Sequence, residues 1–427
     1  MRMEKEQKNL VTELEKYKKP MERMFYVFFA INFVYDMLTY TMMFVPLENL
    51  LLKPLALLPI DLILPALETI LNLRLLIVIP AAYTVFFEMR KQKQQAILIA
   101  LLFVGWFYAM YWRKDSDLSI FCPLLLIVAA AGRNMKKMAK IALISGISVM
   151  GLAFILSQIG VIEDIVWQRV IGEGRGRHAF GMTYCTDLAA HVLYFILLYM
   201  LMVHGKMKWW GYALITVLTV INIVFVDGRI ALACTVLAVM GCVFLHFYDK
   251  HQWKIPEALM VVWKWLLTWS FVLGAGFMFL LSVTYKKDPE IWYNRYVFFG
   301  GRLYTNYRLL KTIPFSWFGT SFYQSGWGGK TEEPAYYFWV DCSYTRLYAM
   351  YGIVAFLIFM ALLTWIQIRL KKRKAYFAMY LMALVALDCM MEHHMTEVAF
   401  NIFLLMAFCD LDKVPGIGEE RLERCIS

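Results

Sequence analysis

The residues able to do chemistry lie in a few short polar intervals between long apolar runs. One interval, 163–182, carries Arg169, Glu173, Arg175, Arg177 and His178, and Asp187 and His191 follow in the first turns of the next run. A second is Asp227-Gly228-Arg229, with Arg229 opening an apolar run. The longest, 286–343, contains Arg295, Arg302, Arg308, Lys311 and Lys330 and closes on Asp341, with Arg346 just beyond. The last is Glu392-His393-His394, followed by Glu397 and Asn401.

Arginines gathered at one water–membrane boundary repel each other unless an anion sits among them. The guanidinium group is a flat fork matched to two phosphate oxygens. Arg177, Arg229, Arg302 and Arg308 are therefore the candidates for holding a phosphate or diphosphate. A carboxylate or imidazole in the same place can take a proton from an attacking hydroxyl. Asp341, Glu392, His394 and His178 are the candidates, and the sequence does not choose among them. Arg229 and Arg346, at the ends of apolar runs, also suit interface anchors whose long side chains reach back to water. Trp292, Trp317, Trp327 and Trp339 suit stacking on sugar rings or a position at headgroup level.

The elements that must position these residues are apolar helices. The chain has 427 residues, of which 61% are hydrophobic, and a mean hydropathy of +0.57. Its apolar runs are long enough to cross a hydrocarbon core about 30 Å thick. Backbone groups in lipid must bond within their own segment, so the runs predict helices. About twelve spans are expected, at 24–45, 73–87, 96–112, 118–132, 141–162, 183–203, 209–226, 230–248, 259–285, 344–368, 375–391 and 396–408. The prolines at 46, 54, 59 and 65 break the apolar stretch 46–72, which reads as interfacial or re-entrant. The expected organisation is a cytosolic segment 1–22, a transmembrane domain 23–412 with an extracytoplasmic loop 286–343, and a cytosolic tail 413–427.

The net charge of +11 sits in short gaps rather than on one folded face, which argues against nucleic acid. Basic residues fall in alternate gaps, at 90–93, 133–140, 206–208, 250–254 and 369–374. Positively charged gaps stay in the cytosol, so both termini are expected there and the chemically interesting gaps face outward. No cleavable leader is expected, since the charged N-terminus precedes the first apolar run. The cysteines are scattered without metal-ligand spacing. Asp341 and Glu392 are the only strong carboxylates expected on the outer side, so no metal and no cofactor are expected.

The polar intervals resemble the O-antigen polymerase and ligase superfamily, the Wzy- and WaaL-like membrane proteins, over residues 160–408. The capsule and exopolysaccharide repeat-unit polymerases are the most similar group. Arg177-His-Ala-Phe-Gly181 followed by Thr186-Asp187-Leu resembles that family's outer-loop element, with Thr-Asp in place of its Pro-Asn. Asp227-Gly-Arg229-Ile-Ala-Leu is similar to its arginine-led span opening. Gly300-Gly-Arg302, then Pro314-Phe-Ser-Trp-Phe-Gly319, with Arg308 eleven residues before Gly319, resembles the start of its large loop. Asp341-Cys-Ser-Tyr344-Thr-Arg-Leu and Tyr351-Gly352 resemble the loop's end. The ligases carry histidine where Asp341 stands, so the resemblance favours a polymerase.

The resemblance implies an all-α, C-type glycosyltransferase-like membrane enzyme in a bacterial cell membrane. It would join undecaprenyl-diphosphate-linked oligosaccharide repeat units on the outer face, as in capsule, exopolysaccharide or O-antigen synthesis. Membrane lipid, a chain-length regulator and a flippase would be its partners. Two alternatives remain open at this stage: a ligase passing glycan to another acceptor, and a lipid-linked oligosaccharide flippase or other transporter. Nearly clean mid-span positions, apart from Lys264 and Asp388, count against a transporter.

Overall fold

A computed structural model of the chain describes residues 2–44, 76–89, 92, 94–111, 120–168, 175–251, 255–285, 301–326, 328–329, 337–412, 414 and 417. The stretch 46–72, the tail beyond 417, and Arg169, Glu173, Trp292, Arg295, Gly300, Trp327 and Lys330 lie outside the described residues.

The fold is almost entirely helical. In chain order the helices are α1 (Arg2–Thr39), α2 (Val78–Tyr83, continued by a π turn Thr84–Glu88), α3 (Gln95–Tyr111), α4 (Phe121–Ala129) and α5 (Met135–Gln158). Then come α6 (Cys185–Met202), α7 (Trp209–Ile221, continued by a π turn Asn222–Val226), α8 (Arg229–His251), α9 (Glu257–Thr268) and α10 (Ser270–Thr284). α11 (Arg302–Thr312), α12 (Ser343–Lys372) and α13 (Tyr376–Asp388) complete the series. One antiparallel pair, β1 (Val166–Trp167) and β2 (Arg177–His178), lies between α5 and α6, with Trp167 opposite Arg177.

Five helices among the described residues are long and apolar enough to cross a membrane, or six if the bent pair α9–α10 counts as one crossing. Their outer faces are oily: Ile144 is 68% exposed, Leu259 60% and Val217 55%. Water would not tolerate so much apolar surface, so the chain associates with a membrane.

The alternate gaps gather at two ends of the molecule. At one end Lys137 pairs with Glu22 at 3.2 Å, Arg133 with Glu88 at 2.7 Å, and Arg373 with Asp412. Asn134 there lies beside Asp410 as a bridged pair. At the other end Thr41 bridges Met182, the Gly329 N–H donates to the Thr183 carbonyl at 2.8 Å, and Tyr40 reaches Glu397 at 2.8 Å. α12 runs from this second end, at Ser343, to the basic end, at Lys372, a rise of about 45 Å for thirty residues.

Several expected spans take other forms, among them 118–132, which holds the nine-residue helix α4, and 375–391, which holds the thirteen-residue α13. The run 259–285 is bent by 68° between α9 and α10. The run 396–408 is not an α-helix: it holds a 3₁₀ stretch Ile402–Ala407 within irregular chain. Thirteen residues of α-helix rise only about 20 Å, too little for a crossing, whereas the 3₁₀ form gains about 2.0 Å per residue. Non-helical backbone at membrane depth requires cover by protein. Residues 398–409 have it, with none more than 5% exposed. The indole of Trp365 donates to the Ala407 carbonyl at 2.9 Å, and Arg369 donates to the carbonyls of Met406 and Cys409.

α12 breaks at Gly352, whose φ of 77° suits glycine. The loop 314–320 plugs this break. The N–H groups of Ile353 and Val354 donate to the carbonyls of Ser316 and Trp317, each at 3.1 Å, and Thr320 N–H donates to Ala349 at 3.1 Å. A Cβ on Gly319 would strike the Met350 carbonyl, and one on Gly352 would strike the backbone of Trp317 and Gly319. These two motif glycines are thus explained by one close backbone approach.

Candidate functional site

The end away from the basic gaps holds a cavity of about 780 Å³. Its construction begins at the N-terminus of α12. The Ser343 hydroxyl donates to the Glu392 carbonyl at 2.6 Å and accepts from the Met395 N–H at 3.2 Å, tying the 389–395 turn to this helix. Thr345 donates to Asn306 at 2.9 Å, tying α11 to it as well. Asp341, Glu392 and Arg302 converge in consequence.

Arg302 is the centre of that group. Its guanidinium lies 3.2 Å from Asp341 and 3.0 Å from Glu392, and it donates to the Met391 carbonyl at 2.7 Å. Burial works against its charge, but the two carboxylates outweigh that and raise its pKa. Burial also raises the Asp341 pKa, against the pull of Arg302 and Arg346. Burial pushes Glu392 up to about 8 despite Arg302, with Asp341 adding to the rise. Asp341 is the more open of the two, its side chain 21% exposed against 4% for Glu392.

Beneath them lies a second ionic group. His394, wholly buried, stands 2.7 Å from Glu397 through Nδ1 and 3.6 Å from Asp187 through Nε2, with its ring stacked on Phe400 at 3.5 Å. Burial opposes its charge, but Glu397 and Asp187 prevail and hold its pKa at about 10. The two acids thus favour the imidazolium form of His394 over the neutral form that a general base requires. Tyr40 completes the group through its hydrogen bond to Glu397.

The rim carries the other arginines. Arg177 donates to the carbonyls of Val226 at 3.1 Å and Asp227 at 3.4 Å. It thereby fixes the tight turn in which Asp227 adopts a left-handed φ of 51°. Asn222 braces the same turn, accepting from Gly228 N–H at 2.8 Å and donating to its carbonyl at 3.1 Å. Arg229 is half exposed, 3.5 Å from the Asp227 carboxylate. Arg346 donates to Gln324 at 3.0 Å and Val340 at 3.3 Å and lies over the Trp339 ring at 4.7 Å. Neutral carbonyl acceptors leave the positive charge of Arg177 for something else in the cavity, whereas that of Arg346 already acts on Asp341 and Glu397. Trp167, Gln168, Tyr184 and Tyr337 also line it.

Of the residues expected to do chemistry, Arg177, Arg229, Arg302, Asp341 and Glu392 line this cavity, and His394 lies directly under it. Arg308 and His178 are not among its lining residues. Six residues along a helix is a rotation of about 240°, so Arg308 leaves the face that Arg302 and Thr305 share. It lies instead against the rings of Tyr304 and Phe338, at 5.6 and 5.4 Å. His178 pairs with Asp164 at 2.7 Å and stacks on Phe180. Tyr40 left no sequence signal, since its partner Glu397 lies 357 residues away.

The carboxylates differ from expectation. Asp187, Asp227, Asp341, Glu392 and Glu397 all line the cavity, so the reason for expecting no metal, a lack of acids beyond Asp341 and Glu392, does not hold. Glu392, His393 and His394 bring ligand-capable atoms within 4.8 Å of one another. Arg302 and the His394 imidazolium already place positive charge against four of these acids, and that opposes a divalent cation in the same space.

The chain matches no family model, no curated protein and no solved structure. What the site can do is therefore read from its geometry: a recess with guanidinium groups on the rim, two carboxylates sharing one arginine on the floor, and aromatic and amide groups between.

Proposed function

We propose that the protein is a membrane glycosyltransferase that joins polyprenyl-diphosphate-linked oligosaccharides on the outer face of the membrane, in the manner of the repeat-unit polymerases. The observation that carries this reading is the single cavity in which Arg177, Arg229 and Arg346 surround the Arg302–Asp341–Glu392 group. The rim arginines hold the diphosphate of the donor and stabilise the charge that develops on it as the glycosidic bond breaks. Asp341, the more open carboxylate, takes the proton of the acceptor hydroxyl as that oxygen attacks the anomeric carbon. Arg302 orients both carboxylates rather than gripping phosphate itself. Trp167, Tyr337, Gln168 and Gln324 offer stacking faces and amides for sugars. His394 acts as a fixed positive charge under the floor.

The finer architecture belongs to the same reading. Alternation of the gaps between two ends supports about twelve crossings in a C-type glycosyltransferase-like arrangement, with the basic end in the cytosol of a bacterial cell. The cations already set against the carboxylates support metal-independent transfer. A chelator is expected to leave turnover unchanged; loss of activity restored by magnesium or manganese would contradict it.

One observation favours a second reading. The buried, non-helical run 398–409 and the bend between α9 and α10 are the broken elements that carriers use at membrane depth. A flippase would move the same lipid across the bilayer without forming a bond. Purified protein in liposomes, given a synthetic polyprenyl-diphosphate oligosaccharide, separates the two. The proposal predicts a ladder of longer glycans with release of polyprenyl diphosphate. Movement between leaflets with unchanged glycan length would transfer the assignment to transport.

A further inference from the structure

At the basic end a second cavity, of about 480 Å³, opens between the α6–α7 turn and the last turns of α8. Lys206, Lys250 and His246 line it with Tyr212, Met207, Leu245 and Gly205, and no carboxylate lines it among the described residues. The turn that presents Lys206 is locked. His204 and Gly205 adopt left-handed φ values of 50° and 66°, and a Cβ on Gly205 would meet Phe377 at 3.0 Å and Leu245 at 3.1 Å. Two cations therefore face one recess from different elements.

Two further observations say what fills it. Trp209 and Trp210, 80% and 46% exposed, begin α7 beside the cavity, the position aromatic residues take at headgroup depth. Below it, α7 exposes Leu214, Val217 and Val220, and the neighbouring α8 exposes Val243, Met240 and Val236. Charge at the mouth with an oily wall leading away from it fits a phosphate that carries acyl chains.

We propose that this cavity binds the phosphate headgroup of an anionic phospholipid, with its chains along α7 and α8. The site stands apart from the transfer cavity and does not depend on the function proposed for it. Basic residues at a membrane surface contribute about 1 kcal/mol each toward anionic lipid, roughly fivefold in affinity per lysine. The full-length protein in neutral detergent is titrated with short-chain phosphatidylglycerol, phosphatidylcholine or inorganic phosphate, with binding read by native mass spectrometry. Phosphatidylglycerol should bind more tightly than the other two. The exposed double variant Lys206→Gln/Lys250→Gln should weaken it about thirtyfold. Equal binding of phosphatidylcholine, an unchanged affinity in the double variant, or inorganic phosphate matching phosphatidylglycerol would each overturn the assignment.

Discussion

At the scale of single residues, the account turns on one guanidinium answering two carboxylates. Removing it leaves Glu392 buried without its hydrogen-bonded cation and Asp341 with only the pull of Arg346, a change worth about 3–5 kcal/mol for buried pairs. Arg302→Ala should lose polymer formation and unfold at a lower temperature; a variant of wild-type stability and turnover would remove Arg302 from the site. Arg302→Lys keeps the charge but not the fork that reaches Asp341 and Glu392 together. It should recover stability in part and turnover hardly at all. Asp341→Asn should cost on the order of 10²–10⁴-fold in turnover, the usual contribution of a general base. Near-normal turnover in purified protein would move the base to Glu392.

The pH dependence follows from the same pair. Glu392 keeps its proton up to about pH 8 because burial disfavours its charge. If transfer requires it ionised beside Arg302, the rate rises with pH through that value. A folded-state pKa above the unfolded one means that this group's contribution to stability is present at low pH and lost as pH rises through about 8. A rate flat from pH 6 to 9 would show that Glu392 does not titrate in the catalytic cycle. The sequence made these side chains candidates by type and place. It could not show that Arg302 is shared, since Asp341 and Glu392 lie 39 and 90 residues from it, nor that Asp187, 207 residues away, joins Glu397 beside His394.

At the scale of elements, the break in α12 holds the site. Loop 314–320 enters it, Tyr108 caps it through a 2.6 Å hydrogen bond to the Tyr351 carbonyl, and the N-terminal turns of α12 carry Arg346 and abut Asp341. Gly319→Ala and Gly352→Ala each force a Cβ into backbone at a left-handed position and should destabilise by on the order of 3 kcal/mol. Gly276→Ala, where a Cβ meets nothing within 4 Å, should be neutral or slightly stabilising. Thermal unfolding in detergent checks the contrast. Equal melting temperatures for all three would show that the plugged break does not hold the helix. The motif glycines were visible in the sequence, but their mutual contact was not. The run 398–409 also escaped, because an unbroken apolar string has no period to distinguish helix from covered 3₁₀ chain. Arg308 was misplaced for the opposite reason: the helix that turns it away from Arg302 lay within a stretch read as loop.

At the scale of the whole molecule, charge in the gaps proved the most legible feature. The gap 133–140 meets the N-terminal helix and the 410 region, while the outward-assigned gap 163–182 meets 227–229 and the gap 286–343 meets 392–395. Helices of nearly uniform hydropathy say little about which neighbours they choose, so the packing of α4 and α13 in the centre could not be foreseen. Side preference in the membrane and occupation of the cavity remain the claims on which everything else rests. Thr305, on the cavity wall, offers one measurement of both, since the cysteines among the described residues are all buried. A Thr305→Cys variant should react with a membrane-impermeant maleimide in intact cells, and added polyprenyl-diphosphate oligosaccharide should slow that reaction. Labelling only after the membrane is opened, or at a rate indifferent to the lipid-linked sugar, would contradict the account.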